Sequence, residues 1–170
     1  MTLLVEEMDT LRNLQRFIGA ANAIKGFHDE GDIMRFAAET SATFAENNLV
    51  AAIFGTDVDL AEIQAANLRN YYANKLLLIV SEAVEAHDEL RTGHGMTETY
   101  YAPLIDEWGK VTGAGWEDGP QKPEGVPSEL ADVVIRVFDL ADEAGIDLAG
   151  MIDEKLRYNA TRPYRHGKRF

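Results

Sequence analysis

The chain has 170 residues, 46% of them hydrophobic and 26% charged, the size and composition of a single globular domain rather than of a disordered segment. It contains no cysteine, which excludes disulfide scaffolds, zinc–thiolate sites and thiol nucleophiles. Its net charge of −13 argues against binding to nucleic acid or to an anionic membrane surface. The strongest apolar run, Leu76–Val80, is far too short to span a bilayer, and the N-terminus offers neither a basic start nor a signal-peptide apolar region. A cytoplasmic protein is the simplest expectation.

Leu11, Leu14, Phe17, Ile18, Ala21 and Ile24 recur at three- and four-residue spacing, which predicts a first helix with one buried face, capped by Thr10 and stopped at Gly26. Phe27 is read as a core residue, with stacking on a nucleobase as the alternative. A second helix is expected from about Asp32 to Asn47, with Ile33, Phe36, Ala37, Phe44 and Ala45 facing inward. Leu49–Phe54 is ambiguous. A long third helix follows from about Asp59 to Arg91, and its centre, apolar on every side from Leu76 to Val80, is expected to be deeply buried.

Between residues 93 and 125 the composition changes, with seven of the fourteen glycines and three of the five prolines. This stretch reads as a long excursion with one short helix near Ala102–Lys110, serving as a substrate lid or an oligomer contact. Pro127 fits the first turn of the next helix, whose apolar stripe is Leu130, Val133, Val134, Val137, Phe138 and Ala141. Gly145 ends that helix, Asp147 caps a last one to about Asn159, and Pro163 with Gly167 makes the tail non-helical. No alternating strand pattern and no internal repeat are visible, so the expected fold is all-α, one domain over 1–170.

Charge is unevenly distributed. All twenty-nine acidic residues precede position 155, whereas Lys155, Arg157, Arg162, Arg165, Lys168 and Arg169 follow without an acid among them. An acidic body with a basic tail suggests that the tail meets an anion held near the body's carboxylates.

Two carboxylate pairs supply the candidate chemistry. Glu82 and Glu85 lie three residues apart on the long helix, and Glu129 and Asp132 three apart on the next. A three-residue step leaves two side chains on neighbouring lines of one helix face, so each pair can aim at one point. Antiparallel packing of the two helices would converge four carboxylates, an all-oxygen set suited to Mg²⁺ or Mn²⁺. Spacing alone does not single these pairs out, because Glu6/Asp9, Asp29/Asp32, Asp59/Glu62, Glu85/Asp88 and Asp139/Asp142 share it. Their context does: Glu82 follows the apolar run directly. A di-iron carboxylate site is not expected, since none of the four histidines completes a Glu-x-x-His motif, and His87 reads as a surface residue or one placed behind the ligands.

The runs Lys75-Leu-Leu-Leu-Ile-Val-Ser-Glu82-Ala-Val-Glu85 and Gly125-Val-Pro-Ser-Glu129-Leu-Ala-Asp132-Val-Val-Ile-Arg136-Val-Phe-Asp139, followed by Gly145-Ile-Asp-Leu, resemble the MazG-like all-α nucleoside triphosphate pyrophosphohydrolases. The tail from Lys155 to Phe170 and the early Asn22-Ala-Ile-Lys25-Gly26-Phe27-His28 extend the resemblance to about half of the chain. It implies Mg²⁺-dependent hydrolysis of a nucleoside or deoxynucleoside triphosphate to the monophosphate and pyrophosphate, with Mn²⁺ able to substitute. The family's metal ligands and catalytic carboxylates fall on Glu82, Glu85, Glu129 and Asp132. Members often work as homodimers or homotetramers. Lys155, Asn159 and Arg162, with Tyr164 and Lys168 behind them, are the residues expected to meet the outgoing pyrophosphate, and Lys75 is expected to reach a phosphate or pair with Glu82. Ser81 stands where many members carry a further glutamate, and Glu89 is then the candidate for positioning the attacking water. Two other functions compete: a non-catalytic acidic helical binding or regulatory protein, and hydrolysis of a phosphoribosyl-nucleotide.

Overall fold

The computed structural model describes residues 3–46, 60–102, 104–105, 108, 111–113 and 121–163. Leu49–Phe54, Trp116 and the tail residues Tyr164 and Lys168 lie outside them. Among the described residues five helices carry the fold: α1 (Val5–Ile24), α2 (Asp29–Glu46), α3 (Leu60–Thr92), α4 (Val126–Glu143) and α5 (Leu148–Ala160). The structure is thus mostly helical, as expected. None of the described helices is long and apolar enough to cross a membrane. The chain divides into two compact units, one of residues 1–73 with 138–170 and one of residues 74–137.

In the first unit α1 packs against α5. Helix α1 begins six residues earlier than the apolar pattern suggests. Glu7 reaches back to accept from the Leu4 N–H at 2.8 Å, while Thr10, the expected cap, sits inside the helix and donates to the Glu6 carbonyl. Glu6 and Glu7 also favour this start, because acids in the first turn meet the positive end of the helix. Gly26 does stop the helix, at φ +80°. Asp147 caps α5 by accepting from Gly150 N–H, and a two-point ion pair with Arg12 holds it. The Arg12 guanidinium, together with the Gly150 N–H, keeps the Asp147 carboxyl below its ordinary range.

The interior of this unit is more polar than the periodicity predicts. His28 Nε2 lies 2.7 Å from Asp139 Oδ1, both side chains nearly covered. Glu143 accepts from Tyr71 OH at 2.6 Å, and Arg35 Nη1 reaches both Glu143 and the Tyr72 hydroxyl. Burial and this carboxylate push the Tyr71 hydroxyl pKa well up. Gly31 lets α2 come this close, since a β-carbon there would fall 2.0 Å from Glu143 Oε1.

The apolar faces that were expected to be buried are instead open within the chain. Phe17 is 72% exposed, and Ile24, Ile33 and Phe36 are exposed as well, as is Phe27, which is not a core residue. The centre of α3 departs furthest from expectation: Leu77 is 64% exposed, and Leu76, Leu78 and Val80 are exposed with it. A helix apolar on all sides can be covered on only one side by a small chain, and the remaining sides stay outward unless another molecule covers them. On α4, Phe138 and Ala141 are buried, while Leu130 and Val134 of the predicted stripe are exposed.

The second unit contains the centre and end of α3, the segment after it, and the start of α4. The expected short helix near Ala102–Lys110 is not formed by its described residues. Two antiparallel ribbons stand there: β1 (Tyr100–Ala102) with β4 (Lys122–Glu124), and β2 (Leu104–Ile105) with β3 (Val111–Gly113). Tyr100, Tyr101, Val111 and Thr112 are aromatic or β-branched and fit a pleated surface better than a helix. The first ribbon ends where α4 starts. Gly125, at φ +102°, turns the chain, and Ser128 N–H and Glu129 N–H both donate to its carbonyl. A β-carbon on Gly125 would lie 2.5 Å from the Glu98 carbonyl oxygen.

Gly125→Ala therefore adds left-handed backbone strain to a collision with a main-chain atom that cannot step aside. A loss of about 1–3 kcal/mol is expected from the backbone strain alone. Chemical denaturation of the variant measures it; stability equal to the wild type would show that the turn is not held as described.

Candidate metal centre

Glu82, Glu85 and Glu129 offer carboxylate oxygens that all lie within 4.8 Å of one another. The first two come from α3 and the third from the first turns of α4, so the paired motifs do converge. Glu82 is 5% exposed and Glu129 4%, whereas Glu85 opens to solvent. Asp132, the fourth expected ligand, is half-buried one turn along α4 and outside this close group, yet near enough to act on Glu129. No histidine belongs to the cluster among the described residues; His87 is exposed beside Asp88, as a surface residue should be.

The ribbon fixes the two helices of this unit in place. Tyr100, at the start of β1, donates its hydroxyl to Glu89 near the end of α3 (3.1 Å), and its ring stacks on His94, with centroids 4.7 Å apart. Partial burial and the Glu89 carboxylate raise the Tyr100 pKa. At the other strand, Lys122 pairs with Glu124 at 2.9 Å and senses the charge of Glu129 and Glu85. With Gly125 leading directly into α4, this short arch delivers Glu129 to the face of α3 that carries Glu82 and Glu85. Glu89, the expected water-positioning residue, is engaged by Tyr100 and is not in the three-carboxylate group.

Arg136 is the residue that the spacing argument passed over. Its Nε donates to Glu82 Oε1 at 2.6 Å, and its Nη2 closes on the same oxygen. It lies four residues beyond Asp132 and seven beyond Glu129, so helical spacing alone puts it on the same face of α4. Lys122 was missed for a different reason: only the strand pairing of a glycine- and proline-rich segment brings it near the acids.

Lys75 is half-buried on α3, two turns before Glu82. Lys155, Asn159 and Arg162 belong to the other unit, exposed at the end of α5, where the Lys155 ammonium and the Arg162 guanidinium both lie within 6 Å of the Tyr158 ring (5.8 and 5.9 Å).

No protein-family model matches this chain, and no curated protein and no solved structure matches it. The chemistry of the site therefore rests on its own geometry. Three oxygen donors of like charge in a small volume are a poor arrangement unless a cation shares it. Arg136 pairs with Glu82, and Glu129 still meets the remaining negative charge. Burial, then Glu85, Asp132 and Glu82, hold its carboxyl above the ordinary value of 4.5, with Lys122 pulling the other way. The all-carboxylate donor set fits a hard divalent cation and suits zinc or copper poorly.

A carboxyl raised on folding keeps its proton to higher pH in the folded chain than in the unfolded one. Between the two values the folded chain binds more protons, so its stability falls as pH rises. In chelator, Glu129→Gln should therefore melt at a higher temperature than the wild type at neutral pH, and the gap should close as pH drops towards the ordinary glutamate value. Thermal unfolding across that range is the check. A gap independent of pH, or a wild type more stable throughout, would contradict the assignment of strain to Glu129.

Proposed function

We propose that the chain is a Mg²⁺-dependent pyrophosphohydrolase of the MazG-like type, converting a nucleoside or deoxynucleoside triphosphate to its monophosphate and pyrophosphate. The observation that carries this reading is the convergence of Glu82, Glu85 and Glu129 from two helices in the order and spacing that the resemblance requires. Glu82, Glu85 and Glu129 would hold the cation, with Asp132 one turn along as a further oxygen donor. Bound there, the cation would draw charge from the phosphate oxygens and lower the pKa of a water near the α-phosphorus. The chain's own residues do the rest. The carboxylates set where the charge of the substrate can lie, because an unshielded triphosphate is repelled by them. Lys122 and Arg136, at the edge of the cluster, supply positive charge for phosphate oxygens, and the basic residues from Lys155 onward supply it for the departing pyrophosphate. The exposed faces of α1 and α3 are what a second copy would cover in a homodimer or homotetramer. No observation favours the acidic binding protein over this reading, since such a protein has no use for three carboxylates gathered at one point, two of them buried.

Pyrophosphate release from a panel of NTPs and dNTPs should require Mg²⁺ or Mn²⁺. It should fall at least about a hundredfold in Glu85→Gln and in Asp132→Asn, by analogy with the loss of groups that support metal ligands. Both variants should keep the helical circular-dichroism spectrum. Metal-independent release, or wild-type rates in both variants, would reject the proposal.

A further inference from the structure

We propose that Arg136 is a built-in counter-ion that occupies Glu82 in the metal-free protein and is displaced from it when a divalent cation binds. The inference rests on the reading of the three carboxylates as a cation site and gives Arg136 a role in the metal-free protein, before any phosphate is present. Three features point to it. Glu82 is nearly buried, its ion pair among the described residues is with Arg136, and both guanidinium contacts fall on a single oxygen, Oε1. The guanidinium itself is 41% exposed at its side chain, so it has an open path away from the carboxylate, whereas Glu82 has none. Glu85 and Glu129, within 4.8 Å of Glu82, take part in no such pair with Arg136. Arg136 thus engages one member of the group and leaves the other two to an incoming cation.

The physical consequence is selectivity by charge. A buried carboxylate without a partner is strongly unfavourable, so the empty cluster needs at least one cation of its own. Arg136 provides one positive charge together with two donors that no monovalent ion can replace. Sodium or potassium would bring the same charge and lose both hydrogen bonds, and so should not displace it. A divalent cation brings twice the charge and meets three carboxylates at once. It can take Glu82 from Arg136 and leave the guanidinium to swing into solvent or onto an anion. Arg136 is in this sense a positioning residue: it holds Glu82 in the conformation that the cation later uses and sets a threshold for occupancy.

The test compares wild type, Arg136→Gln and Arg136→Lys by isothermal titration with Mn²⁺, and follows the Arg136 Nε–H resonance in ¹⁵N-labelled wild type during titration with Mg²⁺ and, separately, with K⁺. That resonance is assigned by its loss in Arg136→Gln. The expected result is a metal-free Arg136→Gln protein that melts at a lower temperature but binds Mn²⁺ about three- to tenfold more tightly, the worth of a half-exposed ion pair that no longer has to be broken. Arg136→Lys, which keeps the charge and loses the fork, should fall between. The Nε–H signal should shift with Mg²⁺ to the position of a solvated guanidinium and stay unmoved in K⁺. If Arg136→Gln does not fold without metal, Arg136→Lys and the wild-type resonance still decide the matter. Equal or weaker Mn²⁺ binding in the variants, or an Nε–H signal unmoved while Mg²⁺ binds, would overturn the exchange and leave the cation site intact. Absence of Mn²⁺ binding in every protein would overturn the cation site and the exchange with it.

Discussion

Like charges forced together in a place with little water must be neutralised, protonated or pulled apart, and the second unit of this chain is organised around that constraint. Glu82, Glu85 and Glu129 bring carboxylate oxygens within 4.8 Å of one another, two of these residues almost without solvent. Arg136 satisfies one, and the unfavourable pKa of Glu129 records what remains. Hydrogen bonds within the protein would be a sufficient answer for a purely structural cluster, yet none to the side chains of Glu85 and Glu129 is present among the described residues. An arrangement that is poor when empty and good when filled by a cation is how a folded chain stores binding energy for a ligand.

The scaffold that enforces this geometry is local. Helix α3 runs 33 residues, about 50 Å, so its rigidity fixes Glu82 against Glu85 within one turn. The return to α4 is made by one ribbon, pinned at Tyr100 to Glu89 and turned at Gly125 against the Glu98 carbonyl. Both pins lie within a few residues of a carboxylate of the cluster. Gly125 is the more demanding of the two, since its backbone conformation and its closeness to a main-chain oxygen each exclude a side chain.

The helices and the carboxylate pairs were legible in the sequence because they depend on short-range periodicity. The long helix from Leu60, the turn at Gly26, the Asp147 cap and the Glu82/Glu85 and Glu129 motifs all follow from residues within one or two turns of each other. What was not legible depends on pairings distant in sequence. The Lys122–Glu124 strand lies opposite Tyr100–Ala102, with partners 20 to 24 residues apart, in a segment whose glycines and prolines announce turns without saying which partners they join. Arg136 stood within the recognised motif, but its role depends on Glu82, 54 residues earlier. The exposed Leu77 and Phe17 reveal a different limit: periodicity identifies an apolar face and cannot tell whether the same chain covers it.

The central claim is that Glu82, Glu85 and Glu129 together form a divalent-cation site. Anomalous scattering from crystals grown in Mn²⁺ tests it most directly, because the ion's position is read without reference to activity. The account predicts a peak between α3 and α4 within bonding distance of carboxylate oxygens from all three glutamates, lost in Glu129→Gln. A Mn²⁺ peak elsewhere with none at the three glutamates, or no peak there in saturating metal, would contradict it.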